Sequence, residues 1–234
     1  MNRSMEGEGE ERLVRIGAGG VTLEGNLSLP KGASGIVLFA HGSGSSRHSP
    51  RNRYVARLLN QANLATLLVD LLTSDEETID LRTGHLRFDI ELLAERLISV
   101  TDWLTQQRDT RRLRIGYFGA STGAGAALVA AAERPDVVGA VVSRGGRPDL
   151  AGAALARVRA PTLLIVGGND FQVIELNRAA FALLRGEKQL VIVPGATHLF
   201  EEPGALDEVA RLAREWFERH LIPMEFHLTA AGKP

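Results

Sequence analysis

The chain has no cysteine, which removes disulfides, thiolate metal sites and a cysteine nucleophile at once. It has almost no net charge: 27 basic residues stand against 28 acidic ones, a formal −1. The arginines fall in pairs such as Arg111-Arg112 rather than in tracts. Neither nucleic acid nor a membrane is therefore an expected partner. Long apolar runs are missing too. None approaches the roughly eighteen residues of a membrane span, and the opening MNRSMEGEGEER lacks the apolar core of a signal peptide. The expected location is cytoplasmic. What remains is a 234-residue chain, 44% apolar and 24% charged, long enough to bury a substantial core. No repeat, linker or composition break interrupts it. We expect a single domain over 1–234, with flexible tails at 1–10 and 225–234.

The apolar pattern changes character along the chain. Val14 and Ile16 before a glycine-rich turn, and Val21, Leu23, Leu27 and Leu29 after it, alternate as in a β-hairpin with one solvated face. From 35 onward come short continuous apolar runs at 35–42, 65–72, 113–119, 137–143, 161–168 and 189–195. Strands covered on both faces read this way, as in a parallel sheet. Between them lie helical spacings: Leu86, Ile90, Leu93, Leu97, Val100 and Leu104, and again Leu206, Val209, Ala213 and Phe217. Ser49-Pro50 marks another helix start. The order predicts an α/β fold: a doubly wound, mostly parallel sheet with helices on both faces and an antiparallel N-terminal hairpin. The acidic stretch 71–86 reads first as a solvated surface loop, with a loop bordering the site as the alternative.

One stretch carries chemistry. Gly119-Ala120-Ser121-Thr122-Gly123 sits between an apolar run and the alanine-rich 124–132. Gly-x-Ser-x-Gly at a strand-to-helix junction is the pattern of a nucleophile elbow, a strained turn that lifts the serine hydroxyl clear of the sheet. Side chains at 119 and 123 would collide with each other or with adjacent strands, and glycine removes them. The small residues beyond let the helix pack close, with its N-terminal amides facing an anion.

A serine needs a base, and the base needs a third group to hold its tautomer. The order expected on this architecture is serine, acid, histidine. Asp170 ends one apolar run and His198 follows the next, both at the carboxyl edge of the sheet. Asn169 would misdirect the imidazole, so Asp170 is the acid, with Asp149 the alternative to test. Among the other histidines, His41 shapes its own loop, while His48, His85, His220 and His227 lack the strand-end position. An oxyanion hole is expected from the amides of Thr122 and Ser43, the latter in His41-Gly42-Ser43-Gly44. That loop lacks the Gly-Lys-Ser/Thr ending of a nucleotide-binding loop.

With these residues placed, the chain resembles the α/β-hydrolase superfamily over nearly its whole length, and in particular its dienelactone-hydrolase-like branch. The resemblance rests on His41-Gly42-Ser43-Gly44, Gly119-Ala120-Ser121-Thr122-Gly123, Asp170 and His198. It implies an α/β-hydrolase fold and a serine hydrolase for small to medium carboxylic esters, with lactones and thioesters within the same chemistry. Catalysis would run through Ser121, His198 and Asp170, with no cofactor and no metal. Dienelactone hydrolases proper carry a cysteine where Ser121 stands, so acyl transfer carries over rather than the dienelactone reaction itself. Perhydrolase, haloperoxidase-type and peptidase activities share the triad, and a non-catalytic binding module shares the fold. Cap domains of the superfamily are commonly inserted after the strand that ends here near 142. Only 143–160 is available, enough for a loop and one short helix from Leu150 to Arg157, which predicts no cap and an open, shallow site. Arg144 and Arg147 fall at the carboxyl edge and Arg47 follows the oxyanion loop; of these, Arg47 and Arg144 are the candidates to hold an anionic group of the substrate.

Overall fold

A computed structural model of the chain describes residues 11–222; the segments expected to be flexible, 1–10 and 225–234, lie outside the described residues. Strands β1 (Glu11–Ala18) and β2 (Val21–Ser28) form the expected hairpin. Its two-residue turn, Gly19-Gly20, has positive φ at both positions, the geometry that matches strand twist. Then follow β3 (Gly35–Ala40), helix α1 (Pro50–Gln61), β4 (Leu64–Val69), α2 (Ser74–Thr83), α3 (Ile90–Gln106), β5 (Arg114–Ala120) and α4 (Thr122–Glu133). The remainder is β6 (Val138–Arg144), β7 (Thr162–Gly167), α5 (Phe171–Leu183), β8 (Lys188–Val193) and α6 (Ala205–Leu221). The eight strands make one sheet in the order β1-β2-β4-β3-β5-β6-β7-β8, antiparallel at the hairpin end and parallel from β4 to β8.

The continuous apolar runs are explained by two cores. On one face Leu38, Leu67, Tyr117, Val141 and Leu164 pack with α3 and α4. On the other, Phe39, Phe118, Val142 and Ile165 pack with Val55 and Leu59 of α1 and Val209, Ala213 and Phe217 of α6. Each fully buried large side chain contributes about 1.5–3 kcal/mol. The strand ends therefore stand on a rigid base. Six parallel strands point their carboxyl ends to one edge, and every candidate site residue lies along that edge. Among the described residues no helix is long and apolar enough to cross a membrane.

Three segments differ from expectation. The stretch 71–86 is not a loop but contains α2. It is held by a capping box in which Thr73 and Glu76 bond each other's backbone, and it stops at Gly84 in the left-handed conformation. Periodicity missed it because Asp80 is the only residue it buries. Helix α5 was also unread; it buries just Ile174, Asn177 and Ala180. The short helix expected within 143–160 is a 3₁₀ segment, Pro148–Arg157, kinked at Gly152.

Candidate active site

Ser121 sits between β5 and α4 with φ 49° and ψ −123°, a conformation costing a non-glycine residue about 1–3 kcal/mol. Several contacts hold it there. Its carbonyl accepts the amides of Ala124 at 3.1 Å and Arg147 at 2.9 Å. On the opposite side Gly42 approaches so closely that a Cβ there would lie 2.8 Å from Ser121 Cβ.

Asp170 and His198 reach the same edge from β7 and β8. His198 Nδ1 lies 2.7 Å from Asp170 Oδ2, so the carboxylate accepts the Nδ1 proton and leaves Nε2 free to act as base. The His198 loop is clasped from below. Gly168 and Asn169 donate backbone amides to the carbonyls of Val193 and Ala196, and Asn169 Nδ2 donates to the Gly195 carbonyl at 2.9 Å. Asn169, set aside as an acid, thus supports the loop that carries the histidine. Gly145, from the loop whose Arg147 amide holds Ser121, packs against His198: a Cβ there would be 3.6 Å from Nδ1. Asp149 is engaged elsewhere, accepting Arg147 Nε and Nη2 at 2.9 and 2.7 Å. His198 has its hydrogen bond with Asp170 and, among the described residues, none with Ser121; such a contact often tightens only when substrate binds.

The candidate oxyanion residues stand side by side, with Ser43 Oγ 3.1 Å from Thr122 Oγ1. As the first residue of α4, Thr122 has an amide that no helical carbonyl can accept. His41 is buried beneath this loop. Its Nε2 accepts the Leu71 amide at 3.1 Å, so Nδ1 carries the proton and donates to the Gly42 carbonyl at 3.0 Å. This neutral imidazole ties the loop after β3 to the one after β4.

Neither candidate arginine is free to greet an anion. Arg47 is held by Asp70, which also accepts its amide at 2.6 Å, by Glu24 at 2.8 Å and by Asn26 at 3.0 Å. Arg144 is 6% exposed and shares the α1 face of the sheet with Val142. There Nη2 donates to Asn52 Oδ1 at 3.0 Å and Nε is sealed without an acceptor. Burial, reinforced by Arg51, holds its pKa down to about 10. No carboxylate pairs with it among the described residues.

A cleft of about 250 Å³ opens beside the oxyanion loop, lined by His41 to Ser46, Thr122, Leu72, Leu93, and Glu77, Asp80, Leu81 and Arg87 from α2 and the turn after it. The segment between β6 and β7 is as short as expected, and α2 supplies a wall to this cleft, whose lining reaches Thr122 but includes neither Ser121 nor His198. Among the described residues no His, Asp and Glu side chains are grouped as metal ligands.

The model of the dienelactone hydrolase family matches residues 30–224. A dienelactone hydrolase from Anabaena variabilis is 66% identical, superposes with a TM-score of 0.90, and is matched over 92% of this chain and 99% of its own. Est1E from Butyrivibrio proteoclasticus is 18% identical with a TM-score of 0.74 over 88% of this chain and 98% of its own, a likeness of fold. Two proteins from strains of Mycobacterium tuberculosis, provisionally named phosphoribosyl transferases, are 63% identical over 208 residues. That match takes in 89% of this chain and 46% of theirs, so the chain spans about half the length of these curated relatives.

Proposed function

This chain belongs to the dienelactone hydrolase family, and from that premise we propose that it is a serine hydrolase of small to medium carboxylic esters. The reading is carried by the 2.7 Å contact between Asp170 and His198 at the same sheet edge as a serine held at φ 49°. Ser121 Oγ attacks the ester carbonyl while His198 Nε2 takes its proton. The amides of Thr122 and Ser43 receive the oxyanion; such a donor typically contributes about 10²–10³ in turnover. His198 then protonates the departing alcohol, and water releases the acyl group by the reverse path. Asp170 fixes the imidazole tautomer throughout.

The leaving alcohol must face His198, which comes from the β7–β8 side. The cleft lies on the opposite, β3–β4 side of Ser121 and would receive the acyl group. Its volume, about 250 Å³, falls below the roughly 300–1,000 Å³ of pockets for drug-sized ligands, which favours short acyl chains. The transferase name of the mycobacterial relatives belongs to proteins about twice as long and has no counterpart in this chemistry.

The test is a Ser121→Ala and Asp170→Asn pair assayed on short p-nitrophenyl esters, with fluorophosphonate labelling. Ser121→Ala should lose both label and turnover, and Asp170→Asn should lose up to about 10⁴ in kcat through the wrong tautomer. Folded variants that turn over like the wild type would remove these residues from their roles.

A further inference from the structure

The acyl cleft has charged walls, and the charges are unevenly cancelled. Arg87 is neutralised locally: Nε donates to Asp80 Oδ2 at 2.5 Å and Nη2 to the Asp80 carbonyl at 2.9 Å. Asp80 in turn accepts the amides of Leu86 and Arg87 at 2.8 and 3.2 Å. Arg47, behind the oxyanion loop, is matched by Asp70 and Glu24. His41 is neutral, since its Nε2 accepts the Leu71 amide. Glu77 is left over. It lines the cleft together with Ser43 and Thr122, and among the described residues its carboxylate has neither a hydrogen bond nor an ion pair. Burial first, and then the neighbouring Asp70, push its pKa above the ordinary value, while His41 and Arg47 pull it the other way without prevailing. Leu72, Leu81 and Leu93 supply apolar surface in the same cleft.

An apolar wall with one uncompensated carboxylate suits a chain that is aliphatic along its stem and cationic at its end. We propose that Glu77 is the specificity-determining residue of the acyl cleft, favouring acyl groups that end in an ammonium and turning away those that end in a carboxylate. The inference rests on the serine-hydrolase reading, because that reading assigns the cleft to the acyl group. It reverses the preference for anionic esters that Arg47 and Arg144 suggested from sequence.

Three p-nitrophenyl esters of equal chain length test it: 6-aminohexanoate, hexanoate and the monoester of adipate. The wild type should rank them in that order by kcat/KM. The extremes should differ by about tenfold at low ionic strength, a modest gap because the cleft is open to water, and should converge as salt rises. Glu77→Gln should shrink the gap to about twofold, and Glu77→Lys should invert it, with thermal unfolding confirming that both fold. A wild type that prefers the adipate ester overturns the inference without any variant. So does a ranking that survives Glu77→Gln while Ser121→Ala abolishes turnover of all three; the serine-hydrolase reading then stands. Turnover that persists in Ser121→Ala overturns that reading and the inference with it.

Discussion

Replacing Gly123 by alanine adds one methyl group where, among the glycines of the described residues, a Cβ would come nearest to backbone. A Cβ at 123 would lie 2.2 Å from the Ala40 carbonyl oxygen and 2.5 Å from that of His41. Carbon and carbonyl oxygen rest at about 3.3–3.6 Å, so the two segments must part by roughly 1 Å. Neither contact is the end of a flexible side chain; both are backbone at the end of β3. The cost therefore belongs at the upper end of the about 1–3 kcal/mol seen for overpacked cores. The displacement also has a direction. It separates the Ser121-Thr122 turn from the loop carrying Ser43, the two elements that would supply the oxyanion donors. A misplacement of about 1 Å can cost about 10² in rate. Gly123→Ala should thus lose about 10² in kcat on a short ester and about 2–3 kcal/mol in urea unfolding. Gly17→Ala is the control. In β1, at a position where a Cβ meets nothing within 4 Å, alanine should change stability by less than about 0.5 kcal/mol. If Gly123→Ala matched Gly17→Ala in both assays, the claim that glycine is required at the elbow by close backbone approach would be wrong.

Arg144→Met should be neutral or stabilising by up to about 2 kcal/mol in urea unfolding, because it replaces a buried charge that has no ion pair with an apolar stem; a loss above about 3 kcal/mol would mean that the hydrogen bond to Asn52 outweighs the cost of burying the charge. Acid should loosen α2 before the rest of the fold. Burial raises the pKa of Glu76, but hydrogen bonds from Arg96 and Thr73 and the charge of Arg96 outweigh it and hold the carboxyl below its ordinary 4.5. With the folded value depressed, the stabilisation is complete above the ordinary value and is lost as pH falls through the lowered one. Hydrogen exchange should show α2 protected at pH 5 and opening below about 4.5, whereas in Glu76→Gln the opening should be smaller, since Asp80, whose pKa burial raises but Arg87 holds down, still titrates in α2. Protection of wild-type α2 that holds down to global unfolding would count against the Glu76–Arg96 tie.

The parts of the site legible in the sequence were those whose cause is local. A serine framed by glycines at a strand-to-helix junction states its steric need in five residues, and the contact made at 123 is of the kind anticipated. Asp170 and His198 were legible because parallel strands send their ends to one edge, so counting strands places loops. The ion pairs were not legible. Arg47 meets Glu24 and Asn26 from a hairpin some twenty residues earlier, and only the antiparallel pairing of β2 with β4 brings that hairpin to the site. Arg144 was half legible: it follows Ala140 and Val142 at alternate positions of β6 and so falls on their buried face, although its place at the strand's end suggested a loop residue facing solvent. Helix α2 escaped a search for apolar faces because it has none, yet its signature was present in Thr73 and Glu76 three apart and in Gly84 at its end.

The open-site expectation needs one amendment, for a related reason. It counted the residues between β6 and β7, and the count was right. But the carboxyl edge of a parallel sheet is bordered by every crossover, and the long crossover here runs from β4 to β5, over residues 70–113. Whichever crossover is long supplies the wall. In this chain it brings α2, and with it Glu77, to the side of Ser121 away from His198. A cap search confined to one insertion point therefore measures only one wall of the pocket. For this fold the crossover lengths on both sides of the nucleophile strand have to be weighed together, and the asymmetry between them indicates which half of an ester meets protein and which half meets water.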